Sequence, residues 1–191
     1  MTLTLADRAD LYNQAFPDYP PLHVWGRWLY GVWDMGYNYR GSGFYGSYPP
    51  SYLRRVLTMF PDIDGHRMLH LFSGSLPAGT PGVRLDIQGD ADITGDAHYL
   101  SEVAPGPWGL ILADPPYSGE DSVHYGTPMV DRNRVVRECA RVLAPGGWLV
   151  WLDQVLPMFR KVDIQRVGSI GMVRSTNHRF RMVNMFVRGK R

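Results

Sequence analysis

Two stretches of the chain carry apolar residues at helical spacing, and several others are short unbroken apolar runs. Over 52–60, Leu53, Val56, Leu57 and Phe60 share one face of a helix that Pro49-Pro50-Ser51 can start. Over 132–143, Val135, Val136, Cys139, Ala140 and Leu143 form a second apolar side, and Pro145-Gly146-Gly147 is expected to end that helix. The runs predict strands: Arg67-Met68-Leu69-His70-Leu71-Phe72, then 83–87, a weaker extended segment over 91–97, Trp108-Gly109-Leu110-Ile111-Leu112-Ala113, and 148–152. Two more strands are expected over 162–171 and 179–187, joined through 173–178 as a closing antiparallel hairpin.

Strands separated by crossovers predict a three-layer α/β fold with a mixed, mostly parallel sheet. Ligands of such sheets bind beyond the carboxyl ends of the strands, which places the Gly74, Asp86, Asp96 and Asp114 regions on one rim. The 191 residues suit a single domain. Residues 1–48 match neither period cleanly and are expected to form an irregular, aromatic and glycine-rich extension with short elements. Its rings, from Trp25 to Tyr48, fit either a platform for bases or an apolar cover over the core.

Composition narrows the function classes. No apolar stretch approaches the roughly 20 residues of a membrane span, and the first residues lack the basic start of a secretory signal, so a cytoplasmic protein without membrane contact is expected. The lone Cys139 excludes an intrachain disulfide and a cysteine-built metal site. The net charge of +2 is unevenly spread: residues 160–191 hold nine of the 20 Lys and Arg but only Asp163 among the 18 acids. That segment suits either a phosphate-facing surface or a solvated edge.

The chemistry concentrates at Asp114-Pro115-Pro116-Tyr117, directly after the run that ends at Ala113. An exocyclic base amine is a poor nucleophile because its lone pair is delocalised into the ring, so acceptors that orient its hydrogens assist its attack. The Asp114 carboxylate and the Pro115 carbonyl are two such acceptors. The prolines restrict the backbone that presents them, and Tyr117 offers a flat face for stacking. Taken alone, the same four residues also fit a tight turn.

In this setting the loop resembles that of S-adenosylmethionine-dependent amino-methyltransferases, in particular the DNA adenine enzymes with an Asp-Pro-Pro-Tyr motif. Related forms act on cytosine amines, RNA guanine and adenine, and protein glutamine. The resemblance covers about residues 49–188. It implies a Rossmann-like class I methyltransferase fold, S-adenosylmethionine as cofactor, and Asp114, Pro115, Pro116 and Tyr117 as catalytic residues. It further implies a cofactor site built from Tyr48, the turn Phe72, Ser73, Gly74 and Ser75, the ribose-binding Asp86 with Ile87, and the adenine-contacting Asp96 and Ala97. Substrate contacts are expected from Tyr117, His124, Tyr125, Arg174, Asn177 and His178.

The chain departs from the family in one place. Ten residues separate Phe72 from Val83, too few for a helical crossover, so either the first helix has shrunk to a turn or the cofactor rim is built differently. Asp86, Asp90, Asp92 and Asp96 also admit readings as turn formers or cation ligands, but no EF-hand spacing is present and methyl transfer demands no metal, so none is expected. The expected function is methylation of adenine in DNA. The alternatives are an RNA base amino-methyltransferase and a catalytically weak nucleic-acid-binding protein of the same fold. DNA, or RNA in its place, is the expected partner, with a separate specificity protein where target selection requires one.

Overall fold

Leu110-Ile111-Leu112-Ala113, the purest apolar run, lies fully buried near the middle of a nine-stranded sheet. The structure is a computed structural model that describes residues 3–35, 48–49, 51–117, 126–127, 129–173 and 180–189. Its elements are α1 (Leu5–Ala15), β1 (His23–Trp25), β2 (Trp28–Asp34), α2 (Tyr52–Met59), β3 (Met68–Leu71), β4 (Val83–Asp86) and β5 (Ile93–Thr94). There follow α3 (Leu100–Val103), β6 (Trp108–Ala113), α4 (Arg132–Val142), β7 (Leu143–Asp153), β8 (Ile164–Val173) and β9 (Phe180–Arg188). The strand order is β1-β2-β8-β9-β7-β6-β3-β4-β5. β5, β4, β3, β6 and β7 run parallel, and β9 is antiparallel between β7 and β8.

Strand alternation divides the interior into two cores. Leu110 and Leu112 point toward α1 and α2, together with Met68, Val150 and Met185. Ile111 and Ala113 point the other way, among Leu69, Leu85, Val135, Val136 and Cys139 of the α4 side. A helix layer on each face of a mixed sheet is the three-layer arrangement expected from the sequence.

Three regions differ from the sequence reading. Residues 3–35, expected to be irregular, hold the 11-residue α1 and the β1-β2 hairpin, with β2 pairing in parallel to β8. Thr4 and Asp7 form a reciprocal capping box at the start of α1. Its buried side includes Arg8, whose guanidinium meets Asp62 at 2.9 and 3.0 Å and lies 4.3 Å from the Phe60 ring centre. A buried arginine hides the apolar period that marks a helix. The extended segment over 91–97 contracts to Ile93–Thr94 followed by a 3-10 turn, Ala97–Tyr99. Finally, Pro145-Gly146-Gly147 does not separate helix from strand: β7 starts at Leu143, and these residues form an irregularity opposite Trp108. A Cβ on Gly147 would lie 2.8 Å from the Trp108 carbonyl oxygen, so glycine permits that close approach.

No helix joins β3 to β4 among the described residues. Buried polar groups hold the 72–82 loop instead. His70 bonds the Pro81 carbonyl through Nε2 at 2.9 Å and the Tyr48 hydroxyl through Nδ1 at 3.1 Å. A carbonyl only accepts, so Nε2 carries the proton and Nδ1 accepts from Tyr48. Burial lowers the His70 pKa below its ordinary value and keeps the ring neutral, as this pair of bonds requires. Arg84 adds a bond to the Leu76 carbonyl at 3.1 Å while pairing with Asp92 at 2.8 Å.

Candidate active site

Strand register brings the sequence-predicted segments to one edge of the sheet. Leu71 pairs with Leu85 and with Ala113, and Ala113 pairs with Trp151. The residues after them, Phe72, Asp86, Asp114 and the end of β7, therefore share a rim.

At β3 the chain reverses through two residues of positive φ, Phe72 at 57° and Gly74 at 50°. The conformation suits Gly74 and costs a non-glycine residue such as Phe72 about 1–2 kcal/mol. The turn is tied to β4: Ser73 N donates to the Leu85 carbonyl at 3.2 Å, and Gly74 N to Asp86 Oδ2 at 2.8 Å. Asp86 Oδ1 accepts from Gln88 N at 3.2 Å. Each carboxylate oxygen thus holds one backbone N–H and retains a lone pair for a ligand hydroxyl. Ser73 Oγ is buried with no hydrogen-bond partner among the described residues. Ile87 is exposed beside this turn.

Asp96 and Ala97 stand further along the rim. Asp96 Oδ1 accepts from His98 N at 2.9 Å and from His98 Nδ1 at 2.7 Å, and His98 Nε2 accepts from Asp131 N at 2.9 Å. The imidazole links the β5 loop to the cap of α4 in its Nδ1–H form. Ala97 packs its methyl into the core on the α4 side. Tyr48 is buried against His70 and Tyr52.

Asp114 accepts a short hydrogen bond from the Tyr117 hydroxyl. The Arg181 guanidinium lies 4.4 Å from the centre of the Tyr117 ring. Burial, and after it the negative charge of Asp114, pushes the Tyr117 and Tyr52 hydroxyls well above the usual phenol range. Burial and the neighbouring Tyr52, with Asp114 behind them, do the same to Tyr48. All three phenols stay protonated around the carboxylate and can donate. The Tyr52 hydroxyl is buried without a partner among the described residues.

Two residues absent from the sequence reading hold the Asp114–Tyr117 loop. Arg132, at the start of α4, bonds Asp153 Oδ2 through Nε at 2.6 Å. One of its terminal nitrogens donates to the Pro116 and Tyr117 carbonyls at 3.2 and 3.0 Å. Asp153 is fully buried and also accepts from Trp151 Nε1, Gln154 N and Val155 N. Arg132 thereby takes two carbonyls of the loop and leaves that of Pro115 outside its grip. One signal for this pair was present: a cation in the first turn of a helix opposes the helix dipole and calls for an acidic partner.

Asp114, Pro115, Pro116 and Tyr117 thus meet Phe72, Ser73, Gly74, Ser75, Asp86 and Asp96 along one rim. His124, Tyr125, Arg174, Asn177 and His178 lie outside the described residues. Among the described residues no group of three or more His, Cys, Asp or Glu is placed to hold a metal ion. None of the described helices is long and apolar enough to cross a membrane.

No protein-family model matches the chain, and no curated protein matches it. The chain is similar to the crystal structure of TrmN from Thermus thermophilus, with a TM-score of 0.52 and 16% identity over 75% of this chain and 50% of that one. It therefore spans about half the length of TrmN. An rRNA methylase from Streptococcus thermophilus superposes at a TM-score of 0.42 and 8% identity, over 66% of this chain and 89% of that one, a likeness too slight to carry an argument. The likeness to TrmN concerns the fold alone. With the strand order and the closing β8-β9 hairpin described above, the chain has the three-layer, Rossmann-like fold of class I methyltransferases.

Proposed function

We propose that the chain transfers a methyl group from S-adenosylmethionine to the exocyclic amine of a nucleic-acid base, with RNA ahead of DNA as substrate. The observation that carries the reading is the Asp114–Tyr117 loop, placed at the carboxyl end of a central strand and held there by Arg132 and Asp153. Asp114 and the Pro115 carbonyl accept the two amine hydrogens and aim the nitrogen. Arg181 occupies one side of the Tyr117 ring, so the base stacks on the other. Arg132 supplies the rigidity, since correct placement of reacting groups accounts for much of such a rate.

The rim suits the cofactor. The left-handed turn at Phe72 and Gly74 lets backbone approach it, Ser73 Oγ is a buried hydroxyl in want of a partner, and Asp86 keeps acceptor capacity for ribose hydroxyls. When bound there, S-adenosylmethionine supplies the electrophilic methyl group. Asp96 is engaged by His98, so contact with the adenine amine uses its second oxygen.

RNA leads because an already unstacked base reaches Tyr117 without the few kcal/mol that extrusion from a duplex costs. Methylation of DNA adenine is the second reading, favoured by the Asp-led loop itself. Tritiated methyl transfer to matched RNA and DNA pools, with mass analysis of the nucleosides, separates them. An N-methylated base in RNA is the expected product, and transfer to DNA alone selects the second reading. Asp114→Ala is expected to slow transfer by roughly 10²-fold. Undiminished transfer by that variant would falsify the orienting role.

A further inference from the structure

Among the described residues, the β1-β2-β8 part of the sheet is covered on one side only. Beyond β7 the α1–α2 side stays covered, with Leu29, Trp33, Ile170 and Met172 in its core. The opposite side of β1, β2 and β8 carries Trp25, Tyr30 and Val32, with Val173 and Phe180 at the rim end, all exposed. Residues paired in register share a face, and here the register aligns His23 with Tyr30, Trp25 with Trp28, Tyr30 with Ser169, Val32 with Gly171, and Val173 with Phe180. Trp25 is 80% exposed and Phe180 55%, values far from those of core aromatics.

From these observations we infer that this face binds single-stranded nucleic acid and leads it to the catalytic rim. Ser169 and Gly171 keep relief low between the rings, which leaves a flat surface of the kind on which bases stack. The cations are placed for phosphate and for stacking. Arg166 lies 4.8 Å from the Trp28 ring centre, and Arg27 is exposed in the turn that joins Trp25 to Trp28. The face reaches the rim of the proposed site: Asp153, at the end of β7, pairs with Met182, which follows Phe180 on this side, while Arg181, paired with Met172, turns to the opposite side and covers the Tyr117 ring. A strand lying along β2 and β8 reaches this rim at Phe180 and turns over it to present a base at Tyr117. The inference rests on the proposed function for its class of ligand, and its test is separate.

The test is fluorescence anisotropy of the full chain with labelled 12-nucleotide single strands of mixed-sequence RNA and of DNA, and with the matching duplexes, without cofactor. Each stacked base contributes about 1–3 kcal/mol, so Trp25→Ala with Tyr30→Ala is expected to weaken single-strand binding at least ~10-fold. Phe180→Ala, on a different strand, tests the face independently should the hairpin shift. Met158→Ala removes an exposed apolar side chain off the sheet and is expected to change nothing. Arg166→Gln should lower the salt dependence by about 0.7 in the slope of log K against log salt. The inference is overturned if the single strands do not bind, if they bind the aromatic variants as tightly as the parent, or if duplexes bind better. It is equally overturned if the chain self-associates through this face and the double substitution abolishes that association, because a second copy is then its occupant. Methyl transfer by the parent chain is measured separately, so its absence with single-strand binding intact counts against the proposed function alone.

Discussion

Replacing Arg132 with Ala tests whether a buried ion pair sets the geometry of the Asp114–Tyr117 loop. The side chain makes a 2.6 Å bond to Asp153 and two bonds to the carbonyls of Pro116 and Tyr117. Breaking a buried pair by removing one partner costs about 3–5 kcal/mol, because the remaining charge is left in a poor environment. Asp153 keeps three donors, from Trp151, Gln154 and Val155, which offsets part of that penalty. The loss of two charge-assisted bonds to carbonyls acts in the other direction. The expected destabilisation is about 3 kcal/mol, a fall in Tm of about 6–12 °C for a chain of this size. Thermal and urea unfolding followed by circular dichroism measure it. Methyl transfer, assayed well below the lowered Tm, should fall roughly 10²-fold in kcat, as expected when a loop drifts by about 1 Å. KM for the cofactor should change little, since the bonds of Arg132 go to Asp153 and to the Pro116 and Tyr117 carbonyls. Arg132→Lys keeps the charge but not the fork geometry and should recover part of the stability and little of kcat. A variant with the parent's Tm and kcat would show that the brace is incidental.

Two further perturbations address the loop that replaces the first crossover helix. The His70 pKa lies below its unfolded value of 6.5 because burial penalises the charged ring. Between those values the unfolded chain binds a proton that the native state does not, so this contribution to stability is intact above about pH 6.5 and is lost as pH falls through the window. In His70→Gln, the pH dependence of urea unfolding from 7 to 5 should be shallower than in the parent; identical slopes would contradict the assignment. Gly82→Ala places a Cβ 2.6 Å from His70 Nε2 at a residue whose φ is +120°. Strain and overpacking together should cost about 2–4 kcal/mol, read as a lower urea midpoint, and an unchanged midpoint would refute that packing.

The parts of the fold legible in the sequence were those in which each residue's role repeats at short range. Trp108 to Ala113 is recognisable as a buried strand because both faces are apolar, and Asp114 follows it immediately. The ten residues between Phe72 and Val83 excluded a helix by length alone. α1 escaped because its buried side contains Arg8, whose partner Asp62 lies 54 residues away. The start of β7 escaped because Pro145-Gly146-Gly147 reads as punctuation, although the pairing of Leu143 with Trp108 carries the strand across it.

The candidate site divides along the same line. Local sequence determined the acceptors and the flat ring of Asp114 to Tyr117, the glycine turn and the acid that ends β4, because turn chemistry and strand period are written within a few residues. Only the tertiary structure decided that Arg132 and Asp153, 21 residues apart, grip the Asp114–Tyr117 loop, and that Tyr52 and Arg181 surround it. It also decided that Trp25 and Tyr30 stand in solvent while Trp33, from the same stretch, is buried. A charge buried at a distance, or a ring left uncovered, depends on which strands become neighbours, and long-range packing makes that choice.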